Sequence, residues 1–450
     1  MMARLFSSQH TALWQLSSIS LLLVKSGGFP FPPKVLLSHK IRKRIKKEET
    51  TMSNNFPLLS HALSRRSALK GLASGVALGA LGATGASRAL AADQPPRLPA
   101  TVIASSPRFL CNAIAATRNG TLFLGAPRWE TMDDTPGVFR ASADGTLQPF
   151  PGGMWNQWTP SADPATAFLM VNGLHIFSDD TLWVVDQGID PKANATVPGG
   201  QKLVQLDPQS GKVLQSLRWG KDILPPGATM NDLRIAGDLM FVTDSGLGGI
   251  IVHNMRTGNT VRRLSEHPLL RATYAKPMIG RDGHIFRDKD GKRPLVHSDM
   301  LEITTDRKWL YFSTPIGPLR RLPVSALLDN NLTDAQRAEK IETVTEMPTM
   351  MGTAIDTLDN FYFADAERGR IMVLTPEEKK LVLFEDPRLV DGDALFITAD
   401  RRMLVPIPQT ERLPPNNAGV NALKPPFISL SFPLPESLHG HRLGNAASSL

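Results

Sequence analysis

Residues 230–254 read MNDLRIAGDLMFVTDSGLGGIIVHN. Two runs of apolar and β-branched residues flank the turn Thr243-Asp244-Ser245-Gly246, so the stretch predicts antiparallel strands. It opens on Asn231 and Asp232, polar residues where a strand should be entering a core. About sixty residues upstream, residues 171–188 read VNGLHIFSDDTLWVVDQG, with Asn172 at the corresponding place.

The pattern recurs along the chain, and such internal repeats decide architecture. Six segments share one order: a small or polar head, an alternating apolar strand, a turn, a second apolar strand. The other four are CNAIAATRNGTLFLGAPRW (111–129), HSDMLEITTDRKWLYFSTPIGPLRRL (297–322), MGTAIDTLDNFYFADAERGRIMVL (351–374) and DGDALFITADRRMLVPI (391–407). Heads fall at 112, 172, 231, 299, 352 and 391. Strand pairs bounded by Asn-Gly, Asp-Gly and Asp-Asn turns, without alternating helices, predict an all-β, six-bladed β-propeller with short helical insertions. A β-sandwich would not explain near-repeats with a common polar head. The best helical stretch is 323–344, read as one or two short surface helices, and 267–296 reads as a long loop on one face. Strands at 100–105 and 427–432 can pair within one blade and close the ring, removing free edges.

The net charge of +8 suggests an anionic partner until it is located. Residues 1–91 hold thirteen Lys/Arg against two Glu, so the remaining residues are slightly acidic, with 37 Lys/Arg against 40 Asp/Glu. The body therefore has no basic footprint for nucleic acid. Arg65-Arg66, the Gly/Ala-rich stretch that follows and Ala89-Leu90-Ala91 resemble a twin-arginine export signal. The expected organisation is an over-extended start at 1–51, a signal peptide at 52–91, and a propeller at 92–450 with a flexible tail from about 436. A periplasmic or secreted monomer follows, with no stable membrane association after cleavage. Cys111 is the single cysteine and reads as a small core residue.

In a propeller the innermost strand of each blade starts beside the central channel. Asn112, Asn172, Asn231, Asp299 and Asp391 are thereby expected to converge on one axis, with Asp232 fixing the neighbouring loop. Such oxygens can hold a hard cation, calcium foremost, or orient a polar ligand; alternatively each Asn or Asp caps its own turn. Asp299 and Asp391 are the candidate acid and base, since converging carboxylates raise at least one pKa. Met351 makes one side of the channel apolar and adaptable. Trp155 and Trp158, in the loop PGGMWNQWTP, are candidate contacts for an aromatic ligand, whereas Trp183 reads as core. His175 lies three residues after Asn172 and is expected on the opposite strand face. His297 reads as a loop histidine. DKDGKR (288–293) lacks the downstream Glu of an EF-hand loop. Motifs of serine hydrolases, P-loop enzymes and zincins are missing.

LFLGAPRW (122–129), VNGLHIFSDDTLWVVDQG (171–188), MNDLRIAGDLMFVTDSGLGGIIVHNMRTGNTVRRL (230–264), LYFSTPIGPLRRLPVSAL (310–327) and FYFADAERGRI (361–371) resemble the major royal jelly protein/Yellow family in sequence and order. The resemblance covers most of residues 97–435. It implies a secreted six-bladed propeller with a ligand pocket on its axis. For bacterial members it also implies an association with dopachrome tautomerase, an isomerase activity. A more distant resemblance to gluconolactonase/regucalcin-like propellers implies a metal held by a Glu, two Asn and an Asp. Asn172, Asn231 and Asp299 stand in suitable order for the last three. No Glu occupies a head, and Asp391 is the nearest carboxylate substitute. The implied readings are a small polar or aromatic ligand in the channel, a divalent-metal-dependent lactonase, or a non-catalytic scaffold.

Overall fold

The computed structural model describes residues 96–129 and 134–447. The expected leader, 1–51 and 52–91, lies outside the described residues. Six four-stranded antiparallel sheets form the body. From the inside outward, blade 1 is Ala113–Ala116, Leu122–Gly125, Val138–Ala141 and Leu147–Pro149, and blade 2 is Val171–Ile176, Leu182–Asp186, Lys202–Leu206 and Val213–Leu217. Blade 3 is Met230–Ala236, Leu239–Asp244, Gly249–Asn254 and Thr260–Arg263. The opening stretch thus spans three strands, because Gly237-Asp238 makes a further tight turn. Blade 4 is Leu301–Ile303, Trp309–Phe312, Leu319–Pro323 and Glu342–Thr345, and blade 5 is Met350–Ile355, Phe361–Asp365, Arg370–Leu374 and Lys380–Glu385.

Blade 6 closes the ring as the sequence predicts. Its strands are Phe396–Ile397, Arg402–Ile407, Phe427–Pro433 and, outermost, Thr101–Ser106 from the start of the described chain. Thr101 pairs with Ser431 and Ser106 with Phe427.

Both faces of each middle strand are buried, which explains their nearly continuous apolar runs. In blade 2, Leu182 and Val184 pack with Phe123 and Phe139 of blade 1, while Trp183 and Val185 pack with Met240 and Val242 of blade 3. One residue further along blade 3, Phe241 joins Leu301, Leu310 and Phe312 of blade 4. The period-2 alternation therefore serves two neighbouring blades at once. Cys111 is core, and burial pushes its thiol up to about 12.

A second repeat ties the blades together. Asp186, Asp244 and Asp365 each end a second strand, fully buried or nearly so, and pair with Lys202 (2.6 Å), Arg262 (2.5 Å) and Arg370 (2.9 Å). Asp186 also accepts from the amides of Leu169, Met170 and Gly188, and Asp244 from those of Thr229, Gly246 and Leu247. Each of these two carboxylates pins the loop that leads into its blade's inner strand.

The helical stretch resolves into Val324–Leu328 and Asp334–Ala338, the latter with a Thr333/Gln336 capping box. Among the described residues no helix is long and apolar enough to cross a membrane. The described part of the expected flexible tail, 436–447, packs against the propeller. Ser437–Leu438 pairs with His441–Arg442, while Leu438, Leu443 and Ala446 are buried in the core shared by blades 5 and 6. The buried Asp356 carboxylate accepts from the Gly444 amide (2.6 Å), and Arg401 donates to Gly444 O (2.6 Å). Apolar side chains and two polar anchors hold a segment whose sequence looks loose.

At blade 5 the inner strand has no polar head because the next blade presses on it. A Cβ added to Gly352 would lie 2.2 Å from Ala394 N and 2.6 Å from Asp393 C. Gly352→Ala is therefore expected to cost about 1–3 kcal/mol by forcing blades 5 and 6 apart. Urea denaturation of the two proteins checks this, and an unchanged midpoint would contradict the contact.

Candidate functional site

Bulges set which side chains reach the axis. The pairing register slips between Val171 and Gly173, between Met230 and Leu233, and between Met350 and Thr353, each time at the strand head. A bulge places two residues opposite one and re-aims side chains. Both Asn231 and Asp232 consequently face the channel, rather than Asn231 alone. The same extra residue overturns the expected placement of His175, which lines the channel with Asn172. Counting by two across an unseen bulge gives the wrong face.

The head end of the channel is a chamber of ≈ 40 Å³. Asn112, Asn172, Asn231, Asp299 and Met351 line it, together with Asp232, Thr353 and Asp393. The carboxamides form a relay around the axis. Asn112 Nδ2 donates to Asn172 O (2.7 Å), and Asn172 Nδ2 donates to Asn231 Oδ1 (2.9 Å). Asn112 Oδ1 is buried without a partner. Met351 packs beneath Met278 and Phe286 of the long loop, which lies over the head face. That loop is fixed by Lys276 Nζ donating to Ile316 O (2.7 Å) and Met347 O (2.6 Å).

Three expected contacts lie elsewhere. Asp391 is buried outside the chamber lining, with Oδ2 accepting from Glu411 N (2.6 Å). Burial and neighbouring Glu411 push it up to about 7. The channel carboxylate of this blade is Asp393, two residues on. The chain turns through the left-handed region at Asp391 (φ 54°) and Ala394 (φ 24°), so its head is displaced from a regular strand. Trp155 packs on Phe168 (ring centroids 4.9 Å apart), and Trp158 Nε1 donates to Asp190 Oδ2 (3.0 Å); neither lines the channel. His297 also stands off the channel, its Nδ1 accepting from the Ala272 amide (3.1 Å), and burial lowers its pKa.

Below the head chamber a buried ion-pair network crosses the axis. Arg234 makes a two-pronged pair with Glu302 (Nε–Oε2 2.8 Å, Nη2–Oε1 2.6 Å) and donates through Nη1 to Asp232 Oδ2 (2.8 Å). Thr353 Oγ1 donates to Glu302 Oε1 (2.9 Å). Burial opposes the charge on Arg234, but Asp232 and Glu302 outweigh it and hold the guanidinium protonated. Arg234, His175 and Leu395 line both the head chamber and a second chamber of ≈ 140 Å³ at the far end, so they form a septum. Burial, then Arg234, keeps His175 well below its usual pKa and hence neutral at pH 7.

The Asp299 carboxylate has no hydrogen-bond partner among the described residues. Burial, then the charge of Asp232, pushes it up to about 8. Asp393 is raised well above the carboxylate range by burial, then by Asp299, Asp232 and Asp391. Its Oδ1 accepts from the following amide, Ala394 N (2.8 Å). Among the described residues no three His, Cys, Asp or Glu side chains are grouped to hold a metal by themselves. A hard cation here would need the carboxamide oxygens as well. The orphaned Asn112 Oδ1 and the free Asp299 carboxylate fit that requirement.

The geometry thus defines a propeller with an acidic, carboxamide-lined axial chamber. Residues 171–381, from the inner strand of blade 2 into the outer strand of blade 5, match the family model described as Major royal jelly protein. The chain is a six-bladed propeller similar to that family's model over these residues, which hold four of the five motifs that carry the resemblance, 122–129 lying outside them. No curated protein matches the chain. Similar solved structures include a gluconolactonase from Xanthomonas campestris (14% identity, TM-score 0.46, covering 77% of this chain and 93% of that one). A calcium-binding regucalcin from Agrobacterium tumefaciens is similar at 14% identity and TM-score 0.46, covering 75% and 94%. A virginiamycin B lyase from Staphylococcus aureus is similar at 13% identity and TM-score 0.39, covering 69% and 81%. At these values nothing about chemistry follows from them.

Removing one partner of a buried ion pair strands the other. Arg234→Met is expected to destabilise the fold by about 3–5 kcal/mol, and the double variant Arg234→Met/Glu302→Leu by much less. Chemical denaturation of the three proteins measures this, and equal losses in single and double variants would contradict the septum's pairing.

Because Asp299 holds its proton more tightly in the folded state than in the unfolded one, its contribution to stability falls as pH rises from about 4 to about 8. Asp299→Asn should therefore melt above wild type at pH 8, with the gap closing toward pH 4. A gap independent of pH in thermal melts would contradict the elevated pKa.

Proposed function

We propose that the head chamber binds a small polar ligand through a cationic centre, either a divalent cation such as calcium or an ammonium group, in a propeller exported by its twin-arginine leader. The supporting observation is the convergence of Asp299 and Asp393 on one chamber with no cationic side chain among the described residues paired to either, beside the orphaned Asn112 Oδ1. At ≈ 40 Å³ the chamber has room for about three water molecules, which suits a cation or a single polar group and not an aromatic ring. This favours the polar ligand over the aromatic one.

The same carboxylates suit proton transfer on a bound substrate. A group with a pKa near neutrality can give and take a proton at working pH, as an isomerase of the dopachrome-tautomerase-related kind requires. Asp299, pushed up to about 8, is the candidate acid–base group, with Asp393 as its partner. Asn172 and Asn231 would orient the ligand.

The metal-dependent lactonase is the second reading, favoured by Asn172, Asn231 and Asp299 lining one chamber. Bound there, a divalent cation would polarise a carbonyl oxygen. Against it stands Glu302, the inner-strand glutamate, which is spent on Arg234 across the septum and does not line the head chamber.

A thermal-shift screen of calcium, other divalent cations, amines, catechols and lactones separates these readings. Calcium or an amine is expected to raise the melting temperature of wild type, and Asn231→Ala or Asp299→Ala to abolish the rise. If both variants keep every shift, the axial site is wrong. Lactone turnover that disappears with EDTA and returns with metal would favour the lactonase.

A further inference from the structure

The far chamber is a second cavity, whose reading does not depend on that of the head chamber. It lies at the opposite end of the channel, under the septum, and its ≈ 140 Å³ is more than three times the head chamber's volume. Phe177, Phe396, Ile303 and Ile355 supply apolar walls, and neutral His175 sits at its inner end. A cavity of about 150 Å³ accepts a benzene-sized body.

The rim of this chamber carries a guanidinium with nothing to do. In all six blades, the turn between the inner and second strands holds one residue in the left-handed region: Gly120, Asp180, Gly237, Arg307, Asp359 and Arg401. Two of these are arginines, and they differ. Arg401 is saturated by the tail, donating to Gly444 O, Asn445 Oδ1 and Pro435 O. Arg307, among the described residues, has no hydrogen-bond or ion-pair partner for its guanidinium. It is nonetheless seated, because a Cβ added to Gly237 would lie 2.9 Å from Arg307 Nη1. The guanidinium thus lies against a glycine that makes room for it.

Two neighbouring features complete the site. Thr305 is among the lining residues; its Oγ1 is buried behind that lining without a partner, and its backbone amide donates to Asp359 Oδ1 (2.7 Å). The acids beside Arg307 are already engaged. Asp306 accepts from Thr304 Oγ1 (2.7 Å) and pairs with Lys308 (3.0 Å), while Asp359 holds the Thr305 amide. A free fork of N–H donors at the rim, beside the apolar walls of Phe177, Phe396, Ile303 and Ile355, matches a carboxylate attached to a compact apolar body.

We propose that the far chamber binds a small apolar carboxylic acid, no larger than a benzene ring with one carboxylate, its anion on Arg307 and its body between Phe177 and Phe396. Arg307 is the anion-binding residue here, and the head-chamber aspartates take no part. This site carries the opposite charge preference to the head chamber, so one channel would discriminate two ligands by the end they enter.

Calorimetric titration of benzoate and of benzyl alcohol into the purified protein tests this. Benzoate should bind saturably and the uncharged alcohol at least about tenfold more weakly, the difference one charge-assisted bond makes. Arg307→Gln should weaken benzoate about tenfold without changing the melting temperature, since the side chain is exposed and unpaired. Ile355→Phe, which fills the chamber, should abolish binding, and Asp299→Asn should leave it unchanged. No saturable benzoate binding, equal binding of acid and alcohol, or benzoate binding that survives both Arg307→Gln and Ile355→Phe would overturn the proposal. Loss of binding in Asp299→Asn would also overturn it, by moving the site to the head chamber.

Discussion

A guanidinium on the axis of the propeller sets the terms for everything around it. Arg234 is buried, and a buried cation persists only when carboxylates and hydrogen bonds replace its water. Asp232 supplies one contact from above and Glu302 two from below, with Thr353 bracing Glu302. The consequence is a channel split into two chambers of different character. Arg234 pairs with Asp232 and Glu302 but with neither Asp299 nor Asp393; burial, then the charge of Asp232, raises Asp299, and burial, then Asp299, Asp232 and Asp391, raises Asp393. The head chamber is thereby primed for a proton or a cation.

The inner strands can deliver these groups because they are bulged at their heads. A regular strand sends alternate residues to opposite faces and could not present Asn231, Asp232 and Arg234 to one channel. The bulge after Met230 adds the residue that makes this possible. In the middle strands the alternation holds and serves two inter-blade cores, while further bulges fall on the outermost strands of blades 2, 4, 5 and 6. The buried Asp186 and Asp244 then lock blades 2 and 3 to the loops on the head face, while Asp365 pairs with Arg370 within blade 5.

Most of the architecture was legible in the sequence because its signals are local and repeated. Alternating apolar runs and turn dipeptides defined the blades, and 100–105 pairing with 427–432 closed the ring. Asn112, Asn172, Asn231 and Asp299 were legible as channel residues because a polar residue at a strand head has few other roles when it recurs. What was not legible depended on backbone irregularities and long-range contacts. His175 changes face through a bulge that no residue type announces. Asp393 replaces Asp391 at the channel because two left-handed residues displace that head. The septum joins Arg234 and Glu302 across 68 positions, and neither belongs to a motif. Trp155 and Trp158 were attractive as exposed loop aromatics, yet Phe168 and Asp190 engage them away from the axis. The tail reads as loose from its composition, but Asp356 and Arg401 anchor it.

The central claim is that the head-chamber carboxylates hold protons that a cationic ligand displaces. Calcium titration at pH 7 in two buffers of different ionisation enthalpy measures this directly, because released protons make the apparent binding heat depend on the buffer. The account predicts calcium binding with net proton release in wild type, and loss of that release in Asp299→Asn/Asp393→Asn. Calcium binding with no buffer dependence, or with the same proton release in the double variant, would contradict it.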